Sequence, residues 1–175
     1  DSSQSRGLGD VYKRQDGFRI VQLSDIHIGP TLRQDFLNDV VDRVNALAPD
    51  FVAITGDLVD GSVYQLGEHV RPLERLKSRY GTYFTTGNHE YYSGADDWIA
   101  FLRSIGVNVL RNEHITLRHN GVSLDVIGVD DWRANGFGGD HGHDLDKAVR
   151  GRNTDRVGIL LAHQPKSVFE AAKHQ

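Results

Sequence analysis

Tyr83-Phe84-Thr85-Thr86-Gly87-Asn88-His89-Glu90 runs from a short apolar strand straight into polar residues that have no evident structural reason to sit together. Two earlier stretches end alike: Ile20-Val21-Gln22-Leu23 leads into Ser24-Asp25-Ile26-His27, and Phe51-Val52-Ala53-Ile54 leads into Thr55-Gly56-Asp57-Leu58-Val59-Asp60. A fourth, Ile159-Leu160-Leu161, delivers Ala162-His163-Gln164-Pro165. Apolar strands that each drop Asp, Asn or His at their carboxyl ends point to an open α/β sheet with a metal site along one rim, where such sheets bind ligands.

Between these tips the periodicity is helical. A helix is expected from Leu32 to Ala48, with Phe36, Leu37, Val40, Val41, Val44 and Leu47 on its buried face, closed by Pro49. A second is expected from Gln65 to Ser78, interrupted at Pro72, and a third, capped by Ser93 or Asp96, carries Trp98, Ile99, Phe101, Leu102 and Ile105. After Gly106 the pattern turns to period two. Val107 to Leu110, Ile115 to Arg118 and Val122 to Val129 read as antiparallel strands, with a hairpin at Asn120-Gly121. Asp130 to Thr154 reads as a long loop with one helical turn near Leu145 to Val149, followed by a strand over Val157 to Leu161 and a helix from Ser167. Residues Asp1 to Gln15 are polar and aperiodic and are expected to form a non-native or disordered tail, leaving 16–175 as one domain.

The totals exclude several classes. A chain of 175 residues with 38% hydrophobic content builds one domain with a real core. Twenty Lys plus Arg against 24 Asp plus Glu give a formal charge of -4, which is no nucleic-acid-binding signal. There is no cysteine, so disulfides and thiolate ligands are out and any metal is held by nitrogen and oxygen. No apolar run approaches the roughly 18 residues of a membrane span, and the chain as it stands reads as soluble.

The tips carry metal chemistry. Asp25 and His27 are two apart, so on an extended segment both project to one side. Asp57 offers a carboxylate able to bridge two cations, Asn88 a neutral carbonyl oxygen and His163 an imidazole nitrogen. Mixed carboxylate and imidazole sets suit Mn, Fe or Zn better than Ca. Two such ions roughly 3.5–4 Å apart polarise a phosphoryl group and bring bound water towards a pKa of about 7. His89, beside Asn88, is the candidate for stabilising the phosphoryl oxygens and serving the leaving oxygen. Asp60 and Glu90 read as carboxylates that anchor the metal-facing residues from behind.

In order and spacing, Ser24-Asp25-Ile26-His27, Gly56-Asp57-Leu58-Val59-Asp60, Gly87-Asn88-His89-Glu90 and Ala162-His163 resemble the first four motif blocks of the calcineurin-like metallophosphoesterase superfamily. The runs Val21 to Gly29, Gly128 to Asp131 and Leu160 to Pro165 are similar to its bacterial, often membrane-associated phosphodiesterase branch. The resemblance covers Gly17 to Gln175. It implies an αββα sandwich of two mixed sheets flanked by helices, and two divalent ions, with Asp25 and His27 on one, Asn88 and His163 on the other, and Asp57 shared. It makes His89 catalytic and implies hydrolysis of a phosphodiester substrate by metal-bound hydroxide. Alternatives are a phosphomonoesterase, a nucleotide or lipid-sugar pyrophosphatase, or a non-catalytic scaffold on the same fold. The family's fifth block, Gly-His-x-His, does not follow His163; the run His141-Gly142-His143 precedes the fourth block, in the wrong order for that role. The expectation is therefore a fragment ending before its last motif, its parent anchored to a membrane by an upstream segment.

Single Asp, Asn or His residues are more often caps and turns than ligands, and four tips in the right order change that balance. The remaining histidines, His69, His114, His119, His141, His143 and His174, are expected at the surface. Tyr91, Tyr92 and Trp132 are expected to pack at a core edge rather than line a pocket.

Overall fold

The computed structural model describes residues 17–174, so the expected tail lies outside the described residues. Strands β1 (Ile20–Leu23), β2 (Phe51–Thr55), β3 (Thr82–Thr85) and β4 (Asn108–Val109) pair in that order, all parallel. The segments linking them carry helices α1 (Gln34–Ala46), α2 (Val63–Val70), α3 (Asn88–Tyr92) and α4 (Ala95–Ser104). A second sheet contains β5 (Glu113–His119), β6 (Val122–Gly128) and β7 (Val157–Leu161), with β5 and β6 antiparallel and β6 and β7 parallel. Helices α5 (Leu145–Val149) and α6 (Ser167–Ala171) belong to its outer side.

Alternation along β2 explains the layering. Val52 and Ile54 face α1, α2 and α4, packing with Leu37, Val41, Val70, Trp98 and Leu102. Phe51 and Ala53 face the other way, joining Tyr83, Leu117, Leu124, Val126 and Leu161 between the two sheets. Because both faces are covered, all five β2 residues are buried, the condition that produces a continuous apolar strand. Outside the second sheet, Ile127 and Val129 pack with Leu145 and Ala148. The sheets approach closely at Gly128, where a Cβ would overlap Leu110 Cβ and sit 2.8 Å from Thr85 Cγ2. That close approach sets the carboxyl end of β6 against the carboxyl end of β3.

The α/β sandwich with flanking helices is as expected, with differences in detail. Of two sheets expected to be mixed, the first is parallel throughout and the second mixed. The strand over Val107 to Leu110, read as part of an antiparallel group, shortens to β4 and pairs in parallel with β3. The strand that delivers His163 lies in the second sheet, so the tips do not share one open sheet. The second helix ends at Val70 and continues as a 3₁₀ turn over Arg71–Arg75, because Pro72 cannot donate an α-helical hydrogen bond. Helix α4 starts from Gly94 at φ 95°, a left-handed start that neither Ser93 nor Asp96 would adopt cheaply. On α1 the buried stripe narrows to Leu37, Val41 and Val44, while Phe36 and Leu47 at its two ends stay exposed. The Asn120-Gly121 hairpin forms as read, both residues having positive φ.

Candidate metal centre

The loops after β1 and β2 lie side by side, with N–H groups of Asp25, His27 and Ile28 donating to the carbonyls of Gly56, Asp57 and Leu58. Asp25, His27 and Asp57 all adopt left-handed backbone, at φ 54°, 52° and 52°. Such conformations in non-glycine residues cost free energy and cluster at functional sites. Asp25 and His27 are thus not on the extended segment expected, although their side chains still converge, His27 Nε2 lying 3.9 Å from Asp25 Oδ1. Gly56, at φ 87°, lets the β2 loop lie against Gly87: a Cβ at Gly56 would overlap Gly87 N, and one at Gly87 would overlap the Asp57 carboxylate.

Glu90 holds this crossing from beneath. Its buried carboxylate accepts the N–H groups of Asp57 (2.9 Å), Leu58 (2.6 Å) and Gly87 (2.7 Å). Burial pushes the Glu90 carboxyl up, and the three backbone donors oppose that by favouring the carboxylate. Asp60 works on the imidazoles instead. Its Oδ1 lies 2.9 Å from His27 Nδ1 and 2.6 Å from His89 Nδ1, and His163 Nδ1 lies 2.8 Å from the Thr55 carbonyl. Burial works against the Asp60 charge, but the hydrogen bonds and charges of His27 and His89 hold its carboxyl below the usual range.

These contacts decide the tautomers. A carbonyl and an ionised carboxylate only accept, so all three rings carry their proton on Nδ1, and a neutral ring keeps a lone pair on Nε2. All three Nε2 atoms face Asp57 Oδ2, at 3.8 Å from His27, 3.9 Å from His89 and 3.3 Å from His163. Lone pairs aimed at a buried carboxylate call for positive charge between them. The donor set therefore fits divalent cations, with ligand atoms falling into two groups that share Asp57: His27, Asp57 and His89, and Asp25, Asp57 and His163. In the metal-free chain burial alone would lower the His27 pKa, but the Asp60 hydrogen bond and the charges of Asp60, Asp57 and Asp25 raise it. Asn88 opens α3 beside Gly87, and its side-chain amide has no hydrogen-bond partner among the described residues.

The structure thus gathers Asp25, His27, Asp57, His89 and His163 at one rim, with Asn88 on the neighbouring backbone. A supporting tier was missed in the sequence. Arg111 binds the buried Asp130 carboxylate with two N–H groups at 2.7 and 2.8 Å, and Asp131, capping the 3₁₀ turn Trp132–Phe137, accepts the Gln164 amide next to His163. Thr86 ties this loop to β3 by accepting the Asp131 N–H and sharing a hydrogen bond with Tyr91. His141 and His143 belong to neither ligand group among the described residues. His141 bonds Arg111, and His143 stacks on Trp132 with ring centroids 4.1 Å apart. Nor are the other histidines uniformly at the surface. His119 is buried, bonded to Tyr80 and edge-on to Phe18, because it shares the inward face of β5 with Leu117.

Together, the fold and site define a protein class: an α/β sandwich with a cluster of carboxylates and imidazoles, suited to metal ions, at the carboxyl ends of its strands. Residues 18–174 match the family model described as calcineurin-like phosphoesterase, and the chain belongs to that family. It is 45% identical over 165 residues to the "Transmembrane protein with metallophosphoesterase domain" of Bos taurus, covering 89% of this chain and 37% of that protein. It is 40% identical over 150 residues to an uncharacterized metallophosphoesterase of Helicobacter pylori, covering 86% and 39%. The chain thus spans about two fifths of these relatives, which are both eukaryotic and bacterial. In fold it is similar to the NAD nucleotidase of Haemophilus influenzae, with a TM-score of 0.62 at 18% identity, over 89% of this chain and 40% of that one. Among the described residues no helix is long and apolar enough to cross a membrane.

Proposed function

We propose that this chain is the catalytic core of a dinuclear phosphodiesterase. The observation that carries the reading is the convergence of three Nε2 lone pairs on Asp57 Oδ2, with each opposite ring nitrogen committed to an oxygen. By the family resemblance Asp25 and His27 would hold one divalent ion, Asn88 and His163 the other, and Asp57 both, whereas the ligand atoms themselves group Asp25 with His163 and His27 with His89 around Asp57. When bound, the two ions polarise the phosphoryl group and acidify a water. Mn, Fe and Zn all fit this oxygen and nitrogen set.

The chain's own residues do the rest. Asp60 fixes the rings of His27 and His89, and Glu90 fixes the backbone that presents Asp57. Hydrolysis adds water across one P–O bond: phosphorus gains the water oxygen and the leaving oxygen takes a proton. His89, oriented through Nδ1, presents Nε2 towards the centre and delivers that proton when Nε2 carries one. The preference for diesters rests on the likeness of the Val21 to Gly29 and Leu160 to Pro165 runs to phosphodiesterases. Membrane association of the parent protein is proposed on the same likeness, and the bovine relative is named a transmembrane protein.

Metal titration of two variants tests the roles. Asp57→Ala abolishes metal binding, while His89→Ala retains it and reduces turnover of bis(4-nitrophenyl) phosphate by about 10²-fold or more. Retention of both metals at wild-type affinity in Asp57→Ala refutes the shared ligand. Loss of metal in His89→Ala makes His89 a ligand, as its grouping with His27 and Asp57 also allows.

A further inference from the structure

Beyond His89 the rim is aromatic. His89 and Tyr92 lie one turn apart on α3, and their rings meet edge to face at 5.7 Å between centroids. Tyr92 in turn meets Phe137 at 5.5 Å, and Phe137 meets Tyr91 at 5.4 Å. Tyr91 is fixed at the bottom of the group, buried and hydrogen-bonded through its hydroxyl to Thr86. Yet Tyr92 is 60% exposed and Phe137 43% exposed. Tyr92 therefore stands open to solvent beside the proton-delivering histidine, with Phe137, also open, against it.

Packing alone gives no reason for this exposure, since α3 contributes Tyr91 and Glu90 to the interior and leaves Tyr92 outside. The His89 ring thus touches two others, that of His27 at 4.6 Å and that of Tyr92 at 5.7 Å. The ring contacts run as a chain from His27 through His89 and Tyr92 to Phe137. A phosphoryl group at the ligands, with its leaving oxygen at His89, puts the organic part of the leaving group on these two rings.

We propose that Tyr92 and Phe137 form a leaving-group subsite that selects planar aromatic leaving groups, nucleobase-bearing or aryl, over alkyl ones. The subsite deepens the phosphodiesterase reading and rests on it. Because the two rings are inclined at 63°, a flat ring stacks on one and meets the other edge to face, gaining contact and apolar burial with little ordering cost, whereas a short alkyl group covers less of either surface. Each ring contact of this kind changes binding by roughly five- to a hundredfold.

The test is steady-state kinetics of the Mn-loaded protein and its Tyr92→Leu, Phe137→Leu and double variants. The two substrates are bis(4-nitrophenyl) phosphate and bis(2,2,2-trifluoroethyl) phosphate, the second followed by fluorine NMR. Taking each variant relative to wild type removes the difference in leaving-group acidity. The subsite predicts a KM for the aryl ester at least about tenfold higher in the double variant, and an aryl effect at least about fivefold larger than the alkyl one. Equal effects on both esters overturn it. If neither this chain nor the longer form proposed for its parent protein turns over either ester, the phosphodiesterase reading fails instead. The subsite is then decided by calorimetric titration of phenylphosphonate against ethylphosphonate. Tighter phenyl binding that is lost in the double variant upholds it, and equal binding overturns it.

Discussion

Glu90 gives the sharpest mechanical test of how the centre is held. Its Oε2 accepts two N–H groups, those of Asp57 and Gly87, and its Oε1 accepts the third, that of Leu58. In Glu90→Gln the amide oxygen can keep the pair on the Oε2 side, which turns the amide NH₂ onto the Leu58 N–H. One buried donor then loses its acceptor and faces another donor, a cost of about 2–3 kcal/mol. Glu90→Ala strands all three donors and leaves a cavity, about 4–7 kcal/mol, comparable with the whole stability of many domains. The glutamine variant therefore carries the test if the alanine variant does not fold. Urea unfolding of the metal-free protein measures the loss, and calorimetric Mn titration measures its transmission, because the misplaced backbone is that of Asp57. A fall in Mn affinity of about tenfold corresponds to only about 1.4 kcal/mol of that strain reaching the site. A glutamine variant within about 0.5 kcal/mol of wild type, with unchanged Mn affinity, would refute the anchoring role.

Other perturbations separate neighbouring parts of the account. Asp60→Asn removes the charge that orients His27 and His89 and should weaken metal binding about 10–100-fold; unchanged affinity would show that the rings are held by packing alone. Gly128→Ala places a methyl group between the sheets against Leu110 and Thr85 and should cost about 1–3 kcal/mol in urea unfolding; a neutral result would mean that the sheets part freely there. Burial against Trp132 lowers the His143 pKa from 6.5, so the unfolded chain takes up that proton first as pH falls. The His143 contribution is present above about pH 6.5 and is lost below it. Wild type should then lose more stability than His143→Gln between pH 7 and 5, roughly, and parallel curves would contradict this. His27 acts with the opposite sign in the metal-free protein, its raised pKa adding stability below about 6.5, and the comparison with the variant removes it.

The site was more legible in the sequence than the sheet that carries it. A parallel strand buried on both faces is a short apolar run, so the polar residues after Leu23, Thr55 and Thr85 stand out without structural knowledge. The membership of β7 in the second sheet depends on its pairing with β6, about 30 residues away, and a strand's own side chains do not encode such a partner. For the same reason the sequence pattern groups β4 with the strands that follow it, whereas its partner is β3. The left-handed backbone of Asp25, His27 and Asp57 left no local signal, because it is imposed by hydrogen bonds between the β1 and β2 loops. Phe36 and Leu47 fit a helical stripe by spacing, but they lie at the helix ends where the sheet no longer covers them. Spacing beside the core predicts packing for both Tyr91 and Tyr92; Tyr91 packs, and Tyr92 is open beside His89.

The most direct measurement of the central claim is metal content together with Mn-dependent hydrolysis of bis(4-nitrophenyl) phosphate. It should compare this chain with the longer form proposed for its parent protein. The account predicts about two metal ions per chain and metal-dependent turnover in the longer form, with both lost in Asp57→Ala. A folded longer form that binds no divalent metal would contradict it, leaving the converged imidazoles around Asp57 as a scaffold without chemistry.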